Sequence, residues 1–247
     1  FADADLKWLG QNTNHVPMHP AVAEAMHAAI DGERFHAYAP PAGLEALRAG
    51  IVADLGLPGA SALVTDGAVA ALALICRVFC KPGSRFVTTD PGWKWPLQFA
   101  AQAGAEVVEI PIWGPDYNYR LSPERLAAEV DHNTAIIYLV DPNNPLGITY
   151  TADEIGALVA YPALMDRIAP FSTAPLGANV VAQAAALAGL SVKAEWMAEV
   201  QRIQRHNQDL IKQAVDQLPG FSMPVYPSHG NFVVVECIEA GIRPEAL

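Results

Sequence analysis

The run Val140-Asp141-Pro142-Asn143-Asn144-Pro145-Leu146-Gly147 sets two primary amides between prolines. Each amide offers a donor and an acceptor on a short stem, and the flanking prolines fix where it points. Further upstream, Asp66-Gly67-Ala68-Val69 places small residues at the start of an apolar helix. Such a turn leaves backbone N–H groups open at the positive end of the helix, where a phosphate can be held without a charged side chain. Asp90-Pro91-Gly92-Trp93-Lys94-Trp95-Pro96 carries two indoles in one loop, which suit a flat ligand or an interface. Tyr38 projects from the proline-rich loop Arg34 to Gly43, from which a tyrosine reaches a neighbour or simply packs. Taken singly, each stretch has a plainer reading: an Asx/Pro turn, close packing of small residues, or a buried aromatic.

The elements that position these stretches follow from the apolar pattern. Helices are expected over 21–31, 44–55, from 68 to Cys80, 97–103, 123–129 and 152–160, and strands over 63–65, 84–89, 105–110 and 134–140. Ser122-Pro123 opens the helix over 123–129, with serine as N-cap and proline in the first turn. Helix and apolar strand alternate with short connections as far as residue 160, and the polar or aromatic loops follow the strands. That pattern predicts an α/β fold with a mostly parallel, doubly wound sheet, whose ligands sit at the carboxyl ends of the strands. Beyond Ala160 the alternation stops. A small-residue helix from Gly177 to Leu190, a long amphipathic helix from Ser191 to about Leu218 and a strand from Asn231 to Glu236 then predict a smaller α+β region. The expected division is an arm and first helix over 1–32, a large domain over 33–190 and a small domain over 191–247.

Composition narrows the function classes. At 247 residues and 52% apolar the chain can bury a sizeable core, and a formal charge of −11 with 15 Lys and Arg argues against nucleic acid or an anionic membrane as partner. No apolar run reaches membrane-spanning length. Cys76, Cys80 and Cys237 form neither an even framework nor a CxxC pair, so buried free thiols in a reducing, cytoplasmic compartment are expected. His15 and His19 are four apart, but Pro17 and Pro20 forbid the helix that would align them on a metal, and no metal site is expected.

A phosphate cradle, a flat stacking surface and a fixed amide at three strand ends match a planar heterocycle that bears a phosphate and a ring oxygen. Pyridoxal 5′-phosphate has those parts. Here the chain resembles the fold-type-I aminotransferases of class I/II, in particular the histidinol-phosphate-aminotransferase-like branch. The matching stretches are Tyr38-Ala-Pro-Pro-Ala-Gly43-Leu-Glu-Ala-Leu-Arg48, Thr65-Asp-Gly67-Ala68-Val69, Asp90-Pro91-Gly92-Trp93, Asp141-Pro-Asn-Asn144-Pro145-Leu-Gly147 and Asn179 to Leu187, in family order. The resemblance implies that Gly67, Ala68 and Val69 hold the cofactor phosphate, Trp93 stacks on its ring and Asn144 bonds the ring oxygen. It also implies that Tyr38 reaches the phosphate site of a second subunit in a homodimer, and that the arm with Asn12 and Asn14 closes over the substrate. The implied reaction is transfer of an amino group between an L-amino acid and a 2-oxo acid. A lyase or decarboxylase on the same scaffold and a non-catalytic binding module are the alternatives.

The sequence departs from the family in one interval. The lysine that carries the cofactor, in a Ser-x-x-Lys-like loop, and the aspartate that keeps the ring nitrogen protonated, in an Asp-x-x-Tyr-like strand end, are both absent. They belong where Ala160 runs into Tyr161, so a family segment is expected to be missing between 160 and 161. Family strands and a carboxylate-binding arginine are expected beyond Leu247. Lys7, Lys81, Lys94, Lys193 and Lys212 all lie outside the required context, as does Arg243.

Overall fold

Phe86-Val87-Thr88-Thr89 is buried on both faces, which makes Arg85–Asp90 the central strand of whatever sheet contains it. The computed structural model describes residues 12, 14, 16–150, 180–237 and 240–241. The expected helix over 152–160 and the junction at 160/161 lie outside the described residues.

In chain order the elements are α1 (Pro20–Asp31), α2 (Glu45–Asp54), α3 (Ala68–Phe79), β1 (Arg85–Asp90), α4 (Trp95–Gln102), β2 (Glu106–Pro111), α5 (Pro123–Glu129), β3 (Thr134–Ile137) and α6 (Val180–Val215). The three strands form one sheet in the order β2-β1-β3, parallel at both pairings. The chain therefore steps from β1 to one side and returns past it to the other, so the gap between the carboxyl ends of β1 and β3 is a topological switch point. The expected α/β fold with a parallel sheet is observed.

Alternation along β1 assigns one core to each face. Phe86 packs with Cys76 and Cys80 of the α3 region and with Ala100 of α4. Val87 points the other way, into a cluster with Ile110, Ile112, Leu121, Leu146 and Ile148, against which Leu126 of α5 also packs. All three cysteines are buried, and none of them forms a disulfide. Burial first, and then the neighbouring Cys80, push the Cys76 thiol up to about 12, so it stays protonated and unreactive. At the amino end of the sheet, Arg85 lies within 3.3 Å of Glu129, 3.5 Å of Glu106 and 3.7 Å of Asp131, fastening β1 to its surroundings.

Several expected boundaries move, and the strand expected over 134–140 ends at Ile137. Residues 63–65 form no strand: Val64 donates its N–H to Ala42 O at 3.0 Å, pairing with the Pro/Gly loop instead of with the sheet. The expected strand Asn231 to Glu236 is reduced to a single antiparallel bridge between Ser222 and Glu236. The two expected helices meeting at 190/191 are one helix, α6, of 36 residues. Ser191 does not cap a new helix, because its hydroxyl donates to Ala188 O at 2.7 Å in the preceding turn. Gly189 does not break it either, since it lies where α6 approaches Val22 of α1.

Candidate functional site

The site builds up from the placement of α3. The helix leads through a short turn into β1, so it runs antiparallel to that strand. Its 12 residues span about 18 Å, and the six of β1 about 20 Å, so the start of α3 is level with the carboxyl end of β1. The loops after β1 and β3 emerge at the same edge. Gly67, Trp93 and Asn144 thus belong to one rim of the sheet.

Gly67 is the N-cap of α3 at φ 87°, ψ 167°, no side chain caps the helix, and a Cβ built on Gly67 meets nothing within 4 Å. Thr65 Oγ1 donates to Gly67 O at 2.9 Å and the Gly67 N–H donates to Thr65 O at 2.8 Å, which closes the turn. Asp66, Gly67, Ala68 and Val69 are all exposed. The first-turn N–H groups of α3 face open space at the positive end of a three-turn helix, the arrangement a phosphate requires.

The loop after β3 is anchored from below. Leu146 is fully buried in the Val87 cluster, a burial that stabilises by about 1.5–3 kcal/mol. Asn143 is also fully buried, and Asn144 only half-buried. Asn143 Oδ1 accepts from the Leu146 N–H at 3.1 Å, and Asp141 Oδ1 accepts from the Tyr150 N–H at 3.0 Å. Of the two amides, that of Asn143 is engaged inside the protein, while Asn144 lies nearer the surface.

Gly147 closes the loop at φ 72°, and its O accepts from the His229 N–H at 2.8 Å. The segment Ser228–Gly230 that docks there is held from α6: the Ser228 N–H donates to Gln208 Oε1 at 3.2 Å, and Gln204 and Gln208 both donate to Gly230 O. Sequence reasoning missed this second support, since residues 147 and 228 are linked only by the close approach of a glycine to a buried serine.

Trp93 is half-buried and Trp95 is exposed. Lys94, between them, is 2.6 Å from Asp90 Oδ1 and also bonded to Glu109. Burial works against its charge, but the hydrogen bonds to Asp90 and Glu109 outweigh it and raise the pKa. Lys94 is therefore held as an ammonium and is not a free amine for covalent attachment. Lys193 is paired with Asp54 and Lys212 with Asp216.

The remaining predicted residues lie further out. Tyr38 is 81% exposed, with Phe35 of the same loop also exposed. The loop is fixed at its far end, where Leu44 N–H donates to the buried Gln183 Oε1 at 2.7 Å. Asn12 and Asn14 are exposed, and Asn14 Oδ1 accepts from the Val16 N–H at 2.9 Å, so part of its side chain serves a local turn. A cavity of about 340 Å³ between α1 and α6, lined by Met18, Val22, Leu190 and Trp196 among others, includes none of the predicted site residues.

Tyr119 ties the stretch after β2 to the carboxyl-terminal region by donating its hydroxyl to Glu236 Oε1 at 2.8 Å. Burial, followed by that carboxylate, pushes the Tyr119 phenol from 10 up to about 12. The folded state thus holds the proton more tightly, and the resulting stability is fully present below pH 10 and lost as pH rises to about 12. A Tyr119→Phe variant is expected to lose less stability than wild type across that alkaline window, as followed by denaturant midpoints alongside tyrosinate absorbance.

The model of the family described as aminotransferase class I and II matches residues 4–164, about two thirds of the chain. The chain belongs to that family. Among curated members of the aminotransferase family, histidinol-phosphate aminotransferase 2 of Ralstonia nicotianae is 32% identical over 152 residues, covering 62% of this chain and 39% of the relative. An aspartate aminotransferase of Streptomyces avermitilis is 29% identical over 140 residues, covering 54% of this chain and 34% of the relative. The chain thus spans well under half the length of these aminotransferases. Solved structures share the aminotransferase fold at lower identity. YbdL from Escherichia coli, whose structure identified a methionine aminotransferase function, has a TM-score of 0.81 at 16% identity, covering 94% of this chain and 78% of that one. Thermus thermophilus aspartate aminotransferase has a TM-score of 0.80 at 20% identity, covering 93% and 76%.

Proposed function

We propose that the rim formed by Gly67 to Val69, Trp93 and Asn144 binds pyridoxal 5′-phosphate, and that the protein transfers an amino group between an L-amino acid and a 2-oxo acid. The observation that carries this reading is the convergence of three differently equipped loops on one edge of the sheet, beside its switch point. The fit is physical. Uncapped N–H groups of Ala68 and Val69, behind the open Gly67, suit a phosphate and offset its charge in a chain of net charge −11. Asn144 has an amide to donate to the ring oxygen, and Trp93 has a flat face to cover one side of the ring and keep water from it.

When bound, the cofactor supplies the electron sink that lets a bond at the amino-acid Cα break. The chain's own residues hold and orient it. No described lysine near the rim is free to carry it, because Lys94 is occupied by Asp90 and Glu109. The exposed Tyr38 supports a homodimer in which it reaches the partner's phosphate site, and the exposed Asn12 and Asn14 support an arm that covers the substrate.

The test is isotope transfer. Protein supplied with pyridoxal 5′-phosphate, an L-amino acid labelled at its amino nitrogen and an unlabelled 2-oxo acid is expected to yield a second, labelled amino acid. Release of carbon dioxide or ammonia without label transfer would favour the decarboxylase or lyase chemistry. Cofactor binding with no turnover of any amino acid would defeat the catalytic part of the reading.

A further inference from the structure

We propose that Asn143 is the positioning residue that sets Trp93 and Asn144 relative to one another. The inference rests on the pyridoxal-phosphate reading and extends it to a residue that never touches the ligand. Asn143 is 0% exposed, and all of its polar groups are engaged. Its backbone N–H donates to Ile148 O at 2.8 Å and its carbonyl accepts from the Gly147 N–H at 2.7 Å, which closes the loop after β3 on itself. Its side-chain oxygen accepts from the Leu146 N–H at 3.1 Å. The amide nitrogen leaves that loop and donates to Pro91 O at 3.4 Å, in the loop after β1 and two residues before Trp93.

One buried side chain therefore bonds both loops. Asn144 follows it directly in sequence, so any movement of Asn143 moves the ligand amide, and any loss of its amide donor releases Pro91 and with it the Trp93 loop. Asparagine suits the position chemically, since one short side chain must donate on one side and accept on the other. Aspartate keeps the acceptor for Leu146 but sets a carboxylate against the Pro91 carbonyl in a dry site. The α3 cradle takes no part in this network, so the phosphate end of the ligand should be indifferent to it.

The experiment is a double-mutant cycle on cofactor affinity, read by quenching of tryptophan fluorescence on titration with pyridoxal 5′-phosphate, with inorganic phosphate as displacing ligand. Asn143→Asp is expected to weaken pyridoxal-phosphate binding by about tenfold. It should leave the affinity for inorganic phosphate within about twofold, and its penalty should largely vanish in a Trp93→Ala background, because the two changes act through one contact. Should the aspartate variant not fold, Asn143→Ser, small enough for the same space but too short to keep both contacts, is expected to weaken the cofactor and spare inorganic phosphate in the same way, with a penalty that shrinks only in part in the Trp93→Ala background. Wild-type affinity in the Asn143 variants while Trp93→Ala binds weakly would overturn the proposal alone, as would an undiminished penalty in the Trp93→Ala background or an equal loss of phosphate affinity. If Trp93→Ala binds the cofactor like wild type, the underlying site reading fails, and the proposal fails with it.

Discussion

Replacing Gly147 by alanine is expected to destabilise the protein by about 2–5 kcal/mol, the combined cost of a non-glycine residue in the left-handed region and of overpacking. At φ 72° the backbone is one that an L side chain rarely adopts. A Cβ there would lie 2.0 Å from Ser228 Oγ and 2.9 Å from Ser228 Cβ. The serine has little room to retreat: it is 1% exposed, its N–H is bonded to Gln208, and its hydroxyl accepts from the Gly230 N–H. The strain must open either the loop that carries Asn144 or the segment Ser228–Gly230 that α6 holds against it. Both outcomes appear as a lower denaturant midpoint, and cofactor affinity should fall with it. A midpoint equal to wild type would mean that Ser228–Gly230 does not dock on Gly147 in solution.

Trp93→Ala is expected to weaken pyridoxal 5′-phosphate binding by about 10–100-fold, corresponding to the roughly 1–3 kcal/mol that stacking a planar base on an aromatic side chain contributes. The effect should be one of affinity, with little change in stability. Trp93 is only half-buried, belongs to neither core cluster, and sits in a loop fixed by other groups: Lys94 to Asp90 and Glu109, and Asn143 to Pro91. Asn144→Ala should cost less, about tenfold, as expected for one hydrogen bond. Equilibrium titration of each purified variant, with unfolding midpoints measured in parallel, checks both. Loss of affinity that tracks loss of stability would assign these residues a structural role only.

The sheet was legible in the sequence because its strands, β1 buried on both faces and β3 half-buried, are written as continuous β-branched and apolar runs. Phe86 to Thr89 and Ala135 to Ile137 leave little choice of element. The loops at the strand ends were legible for a different reason, since proline and glycine punctuate them. Boundaries that depend on tertiary partners were not. Leu63-Val64-Thr65 reads as a strand by composition, but its backbone pairs with Ala42, a contact that no local pattern announces. The sequence reads as opening a new helix at Ser191, whose hydroxyl instead bonds back to Ala188 inside a continuous helix. Within the site, the sequence pointed to Asn144, but not to the dependence of that residue on Asn143, Leu146 and the Gly147–Ser228 contact. Those supports come from segments far apart in the chain or from burial, and a paired Asn-Asn carries no mark of which amide faces inward.

The claim that unites these results is that Gly67 to Val69, Trp93 and Asn144 line a single cofactor site. Crystals of the protein soaked with pyridoxal 5′-phosphate test it most directly. The account predicts density for the phosphate at the N–H groups of Ala68 and Val69, the ring against Trp93 and its ring oxygen at the Asn144 amide. Cofactor density elsewhere on the molecule, or at the α3 terminus with the ring turned away from both Trp93 and Asn144, would contradict it.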